Sequence, residues 1–130
     1  LLDAVDVLIP NQHELAELAG VATVDDADTA AEAVGRLGFA GTTVVTMGAA
    51  GAVIVTRDGE VRHVGAPRVD AVDSTAAGDA FCGALAQALT AGVEMTDAVR
   101  WACGAGAAAA TRHGAQASLP TAGDVSDLLD

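Results

Sequence analysis

The run Thr42-Thr43-Val44-Val45-Thr46-Met47 is β-branched and almost continuously apolar, and further strand signals follow it at close intervals. An unbroken run of this kind fits a strand covered on both faces. After it, Gly48 and Gly51 bracket a tight loop. Residues 53–56, Asp58-Gly59 and residues 61–64 then read as a hairpin, because Asp-Gly accepts the positive φ values of a type I′ turn. A hairpin argues against a purely parallel sheet, so the sheet is expected to be mixed.

Helical patterns alternate with these strands. Residues 5–9 read as a short buried strand closed by Pro10, and residues 11–19 as a helix stopped by Gly20. A second helix is expected over 29–37, with Thr29 and Glu32 at capping-box spacing and Gly38 at its end. Residues 68–72 read as another short strand. From Ala77, apolar residues recur at helical spacing as far as Leu89, and Gly92 follows. Further helices are expected over 97–111 and 122–129, the last one after Thr121 with Asp124 at its third position. Strands mixed with helices of this length indicate a layered α/β domain. The 130 residues suit one such domain, and no repeat, linker or internal boundary interrupts them. With 31 alanines and 16 valines but 2 phenylalanines, 1 tryptophan and no tyrosine, the core must use small side chains at close backbone spacing.

The formal charge of −12 argues against non-specific binding to nucleic acid or to an anionic membrane. No apolar run approaches the length of a membrane span, and the first residues lack the pattern of a signal peptide. A soluble, cytoplasmic domain is expected. Leu1 in place of methionine adds the expectation that the chain begins in mid-protein. His13, His63 and His113 lack compact ligand spacing with the cysteines, and Cys82 and Cys103 fall on apolar helical faces, so neither a zinc nor a thiol enzyme is expected.

The segment Asp73-Ser74-Thr75-Ala76-Ala77-Gly78-Asp79 joins a strand-like run to a helix start and is built from small residues. Free N–H groups and the dipole at a helix start favour an anion, and Gly78 allows the backbone to approach one. Asp79 would repel that anion unless it has a task, such as taking a proton from a hydroxyl that attacks phosphorus. The alternative is structural: Asp73 or Ser74 caps the helix, and Asp79 is an exposed first-turn carboxylate. The motif is neither the phosphate loop ending in Lys-Ser/Thr nor the three-glycine dinucleotide fingerprint. Asn11 and Glu14 likewise read either as a capping pair or as two groups facing one crevice. The loop at Thr46-Met47-Gly48-Ala49-Ala50-Gly51 reads either as a glycine turn or as a backbone surface for a nucleotide.

Residues 73–85 of this chain resemble the ribokinase family of sugar and nucleoside kinases, in its C-terminal half. The resemblance extends to Pro10-Asn11-Gln12-His13-Glu14, to the loop at 46–51 and to Thr111-Arg112-His113-Gly114-Ala115-Gln116-Ala117-Ser118, four matches in order along nearly the whole chain. It implies a three-layer α/β/α domain with a mixed, mostly parallel sheet, whose N-terminal half and lid are absent here. It also implies ATP-dependent phosphorylation of a sugar hydroxyl, with O5 of D-ribose as the leading acceptor and another sugar or nucleoside as the alternative. By the same resemblance Asp79 is the general base, and Ala76, Ala77, Gly78 and Asp79 form the anion hole. Asn11, Glu14, Thr46, Gly48 and Gly51 would serve ATP, Glu14 also magnesium through water, and Cys103 would lie near the adenine. Asp73, Thr75, Ala109, Arg112, Gly114 and Ser118 would hold a potassium ion, and Asp73 and Asp79 would face the sugar. A homodimer is implied for the whole protein. The 130 residues alone are expected to be inactive, and a truncated, non-catalytic nucleotide-binding module is the reading from another class.

Overall fold

A computed structural model describes residues 2–112 and 120–130. The chain divides into two units, Leu1–Val64 and Gly65–Asp130, each with its own packing.

The first unit carries strands β1 (Val7–Leu8), β2 (Thr42–Thr46), β3 (Ala52–Val55) and β4 (Val61–Val64), with helices α1 (Gln12–Ala19) and α2 (Ala27–Leu37) between β1 and β2. The strands lie in the order β1-β2-β3-β4. β1 runs parallel to β2, while β2–β3 and β3–β4 are antiparallel. The sheet is therefore mixed, as expected; of these three pairings one is parallel, because two of the connections are short antiparallel turns. Val45 and Val53 face each other across the β2–β3 ladder, and together with Met47 and Val55 they pack against Leu15 of α1 and Ala30, Ala33 and Val34 of α2. Val44 and Ile54, on the opposite face, are 0 % and 1 % exposed. Both faces of β2 are thus withdrawn from water, as its unbroken apolar run requires.

Three local expectations are corrected. The β3–β4 turn is not type I′: Gly59 has φ 83°, but no non-glycine residue has positive φ, so Asp58 does not. The Gly59 N–H donates to the Thr56 carbonyl and the Thr56 N–H to the Glu60 carbonyl. This is a three-residue loop whose glycine alone takes the left-handed conformation. Helix α2 begins earlier than residue 29, with Asp26 as its cap and Thr29, not Glu32, completing the capping box. An aspartate already placed in extended backbone captures the Thr29 N–H, so the helix starts at Ala27 rather than at residue 29. Finally, residues 68–72 form no strand. Val72 and Asp73 instead donate their N–H groups to the Ala110 carbonyl, at 2.8 and 3.1 Å.

The second unit is helical: α3 (Ala77–Thr90), α4 (Met95–Ala110) and α5 (Ala122–Leu129). Helix α4 starts two residues before its expected limit because the Glu94 carboxylate accepts the Thr96 and Asp97 N–H groups. Leu85, Ala98, Val99 and Ala102 are fully buried. Ala80, Ala105, Ala109 and Val125 form a joint core between the three helices. Glycines set the spacing: a β-carbon on Gly104 would lie 2.9 Å from Val125 and 3.1 Å from Leu129. Here the alanine-rich composition acts directly, since only small residues let the helices approach so closely.

Candidate active site

In the first unit, the C-terminal ends of the parallel strands β1 and β2 bring Asn11 and Thr46 side by side. The two form an isolated parallel bridge, and the Thr46 N–H donates to the Pro10 carbonyl at 3.0 Å. In open α/β sheets the carboxyl ends of the strands are where ligands bind. Asn11 caps α1: its Oδ1 accepts the Glu14 N–H at 2.9 Å, and Glu14 Oε2 accepts the Asn11 N–H at 2.8 Å. Both side chains remain exposed. The capping pair therefore exists, and it presents the Glu14 carboxylate at the strand ends, where a hard oxygen donor suits a hydrated magnesium ion.

Beside them, the loop after β2 is closed by its own main chain. The Met47 N–H donates to the Gly51 carbonyl at 2.8 Å, the Ala50 N–H to Met47 at 3.1 Å and the Gly51 N–H to Gly48 at 3.0 Å. Gly51 sits at φ 97°, ψ −128°, a conformation open to glycine alone. The N–H groups of Gly48 and Ala49 have no acceptor among the described residues. Thr46 and Gly48 are thus presented on a fixed turn that offers backbone donors.

In the second unit neither Asp73 nor Ser74 caps α3. Asp73 Oδ1 accepts from the Thr75 N–H at 2.9 Å and from the Thr75 hydroxyl, so it folds back on its own loop and does not cap α3. The cap position of α3 is held by Ala76, and no side chain bonds to it. Helices α1, α2 and α5 carry capping boxes and α4 is capped by Glu94, which leaves α3, among the α-helices of the described residues, without a side-chain cap. The Ala77 N–H donates to Ser74, at 3.1 Å, but those of Gly78 and Asp79 find no acceptor among the described residues. Orphan donors with the positive end of a fourteen-residue helix dipole behind them favour an anion. Asp79 lies in the first turn, exposed. A β-carbon on Gly106 of α4 would stand 3.2 Å from the Ala77 carbonyl oxygen, so a glycine on the neighbouring helix sets the position of this first turn. Gly106 lies within the helix expected over 97–111, but sequence spacing did not reveal that it meets this turn.

Of the residues expected to hold a monovalent cation, Asp73 is tied to the end of α4. Two N–H groups from Val72 and Asp73 reach Ala110, which sets Asp73 and Thr75 beside the C-terminal end of α4. That end, which closes at Ala110 with Thr111 as its cap, places helix carbonyls at the negative pole of the dipole. Carboxylate, hydroxyl and carbonyl oxygens are the donor set a hard cation takes. Gly114 and Ser118 lie outside the described residues. The Arg112 guanidinium is 2.8 Å from Asp124, whose carboxylate also accepts from the Thr121 N–H and hydroxyl at 2.7 and 2.8 Å. Cys103 is buried in α4, and burial pushes its thiol up to about 11.

The family model for pfkB family carbohydrate kinases matches residues 1–122. The chain belongs to that family. A ribokinase from Haemophilus influenzae is 36 % identical over 100 % of this chain, which spans 42 % of the length of that relative. An Arabidopsis thaliana ribokinase complexed with ribose and ATP superimposes with a TM-score of 0.90 at 30 % identity, covering 99 % of this chain and 42 % of that one. A fructokinase double mutant from Vibrio cholerae O395, in a fructose, ADP and potassium ion bound form, gives a TM-score of 0.80 at 32 % identity, over 96 % of this chain and 41 % of that one. Among the described residues no helix is long and apolar enough to cross a membrane.

Proposed function

We propose that the protein to which this chain belongs transfers the terminal phosphoryl group of ATP to a sugar hydroxyl, with O5 of D-ribose as the acceptor. The observation that carries this reading is the start of α3, a helix with no side-chain cap and with Asp79 in its first turn. Asp79 takes the proton of the attacking hydroxyl as the oxygen forms its bond to phosphorus. The bond from phosphorus to the bridging oxygen breaks, and ADP leaves with that electron pair. The N–H groups of the 76–79 segment stabilise charge on the transferring group's outer oxygens; those of Ala76, Gly78 and Asp79 have no acceptor among the described residues. Asp73 stands beside Asp79's loop to orient the sugar.

Asn11, Thr46, Gly48 and Gly51 form the ATP side, with Cys103 as apolar packing near the base. Glu14 holds magnesium through water. Asp73, Thr75, the Ala109 and Arg112 carbonyls, Gly114 and Ser118 hold potassium. When bound, the two ions supply charge neutralisation at the phosphates and fix the 73–79 loop. D-ribose is preferred as acceptor because ribokinases stand among both the sequence relatives and the structural neighbours. The fructokinase neighbour supports fructose as the competing substrate. A homodimer in the cytoplasm is the setting we propose for the whole protein.

The test is ATP- and ribose-dependent formation of ribose 5-phosphate by the whole protein, with fructose, deoxyribose and a nucleoside assayed in parallel. Asp79→Asn should lower kcat by about 10²- to 10⁴-fold. Equal rates for D79N and wild type would remove Asp79 as the base, and a higher kcat/KM on another acceptor would reassign the substrate.

A further inference from the structure

One side chain outside the assigned set reaches the loop between β2 and β3. His63 lies on the edge strand β4, opposite Val53, and its Nε2 is 2.6 Å from the carbonyl oxygen of Ala50. For that contact to be a hydrogen bond the ring nitrogen must donate, which the Nε2–H tautomer and the imidazolium both do. The peptide unit joining Ala50 to Gly51 is consequently fixed at both ends. Its N–H goes to the Gly48 carbonyl at 3.0 Å and its C=O to His63.

This peptide needs fixing. It precedes Gly51, whose φ of 97° shows how far the backbone here departs from ordinary conformations. A glycine offers little resistance to rotation of the peptide before it. The loop carbonyls of Met47, Gly48 and Gly51 are taken by main-chain donors, and among the described residues Ala50's is taken by His63 alone. Without the imidazole, that oxygen is an uncommitted acceptor on a loop whose use would be to offer N–H groups to anionic phosphates. An acceptor turned toward a phosphate repels it, and the same rotation breaks the Gly51 N–H bond that closes the turn.

We propose that His63 is a positioning residue for the nucleotide: it latches the Ala50–Gly51 peptide so that the loop presents donors. The proposal rests on the ATP-dependent reading above. It is tested in the whole protein with His63→Ala, His63→Gln and His63→Asn. Glutamine places an amide donor where Nε2 stands, and asparagine is too short to reach. Three readouts are taken: amide exchange at Ala50 and Gly51 without nucleotide, calorimetric ATP affinity, and kcat and KM for ATP. H63A and H63N should speed exchange at Gly51 and weaken ATP binding and raise its KM by about three- to ten-fold, the worth of one hydrogen bond, with kcat within two-fold. H63Q should restore all three values. A purely structural role would lower the melting temperature of all three variants without moving KM. Unchanged exchange in H63A and H63N overturns the latch, and faster exchange with unchanged ATP affinity overturns its role toward nucleotide. A wild-type protein with no ATP affinity up to millimolar concentration sinks the kinase reading and this role with it, while the exchange measurement still reports on the loop.

Discussion

Gly106 of α4 meets the carbonyl oxygen of Ala77 so closely that a β-carbon at position 106 would lie 3.2 Å from it. Ala77 is the first residue of α3, so one missing methyl group on α4 fixes the height of the helix that carries Asp79. Gly106→Ala should therefore push the α3 start by a few tenths of an ångström and cut kcat by about ten-fold, since small misplacements of reacting groups are costly. Gly104→Ala meets Val125 and Leu129 at the other contact and serves as the comparison. It should destabilise by about 1–3 kcal/mol through overpacking, with a smaller effect on rate per unit of stability lost. Urea titration alongside kinetics of the whole protein separates the two, and an unaltered kcat in G106A would disconnect α4 from the site.

The two thiols should behave differently. Cys82 is exposed, whereas Cys103 is buried with its thiol raised to about 11 by desolvation. At pH 8 a thiol-reactive probe should label one cysteine per folded chain quickly and the second only on unfolding. Cys82→Ser should abolish the fast phase. Rapid double labelling of the folded chain would show that the α4 interior opens readily.

Acid should loosen the helix starts. The Thr29 N–H and hydroxyl lower the pKa of Asp26, and those of Thr121, with Arg112 adding to them, lower that of Asp124, each from an ordinary value of 3.8. A carboxylate with a depressed folded pKa contributes stability above its unfolded value and loses it as pH falls through the folded one. The melting temperature should thus fall as pH drops below about 4. In Asp26→Asn with Asp124→Asn, which keeps capping oxygens but cannot titrate, the fall should be shallower. Parallel melting curves for wild type and variant between pH 5 and pH 2.5 would rule the caps out as its source.

Potassium should act through Asp73. Exchange of potassium for sodium at constant ionic strength should lower both the melting temperature and the rate of the whole protein. Asp73→Ala, which removes the carboxylate that Thr75 now bonds, should make wild-type-like activity require more potassium. Identical behaviour in the two salts would exclude a potassium-selective site.

Local readings succeeded where a signal and its effect lay within a few residues. Asn11 with Glu14 and Thr121 with Asp124 were legible as capping boxes because each closes over three residues. The hairpin was legible as well, but not its turn type: Gly59 alone adopts positive φ, and the choice between a two- and a three-residue loop depends on strand register. At α2 two overlapping capping patterns competed, and Asp26 prevailed over Thr29 by meeting the chain first. The expected strand at 68–72 failed because its propensity carries no information about a partner; two N–H groups at its end are taken by a helix terminus instead.

The sequence alone determined the α/β alternation, the small-residue core and the motif order, all of which depend on chemistry repeated at short spacing. Only tertiary structure decided that α3 has no side-chain cap, that Gly106 sets the position of Ala77, and that His63 reaches Ala50. The last two relations join residues 13 or more positions apart, and what brings such residues into contact is the register of strands and the spacing of helices, which no short stretch of sequence encodes.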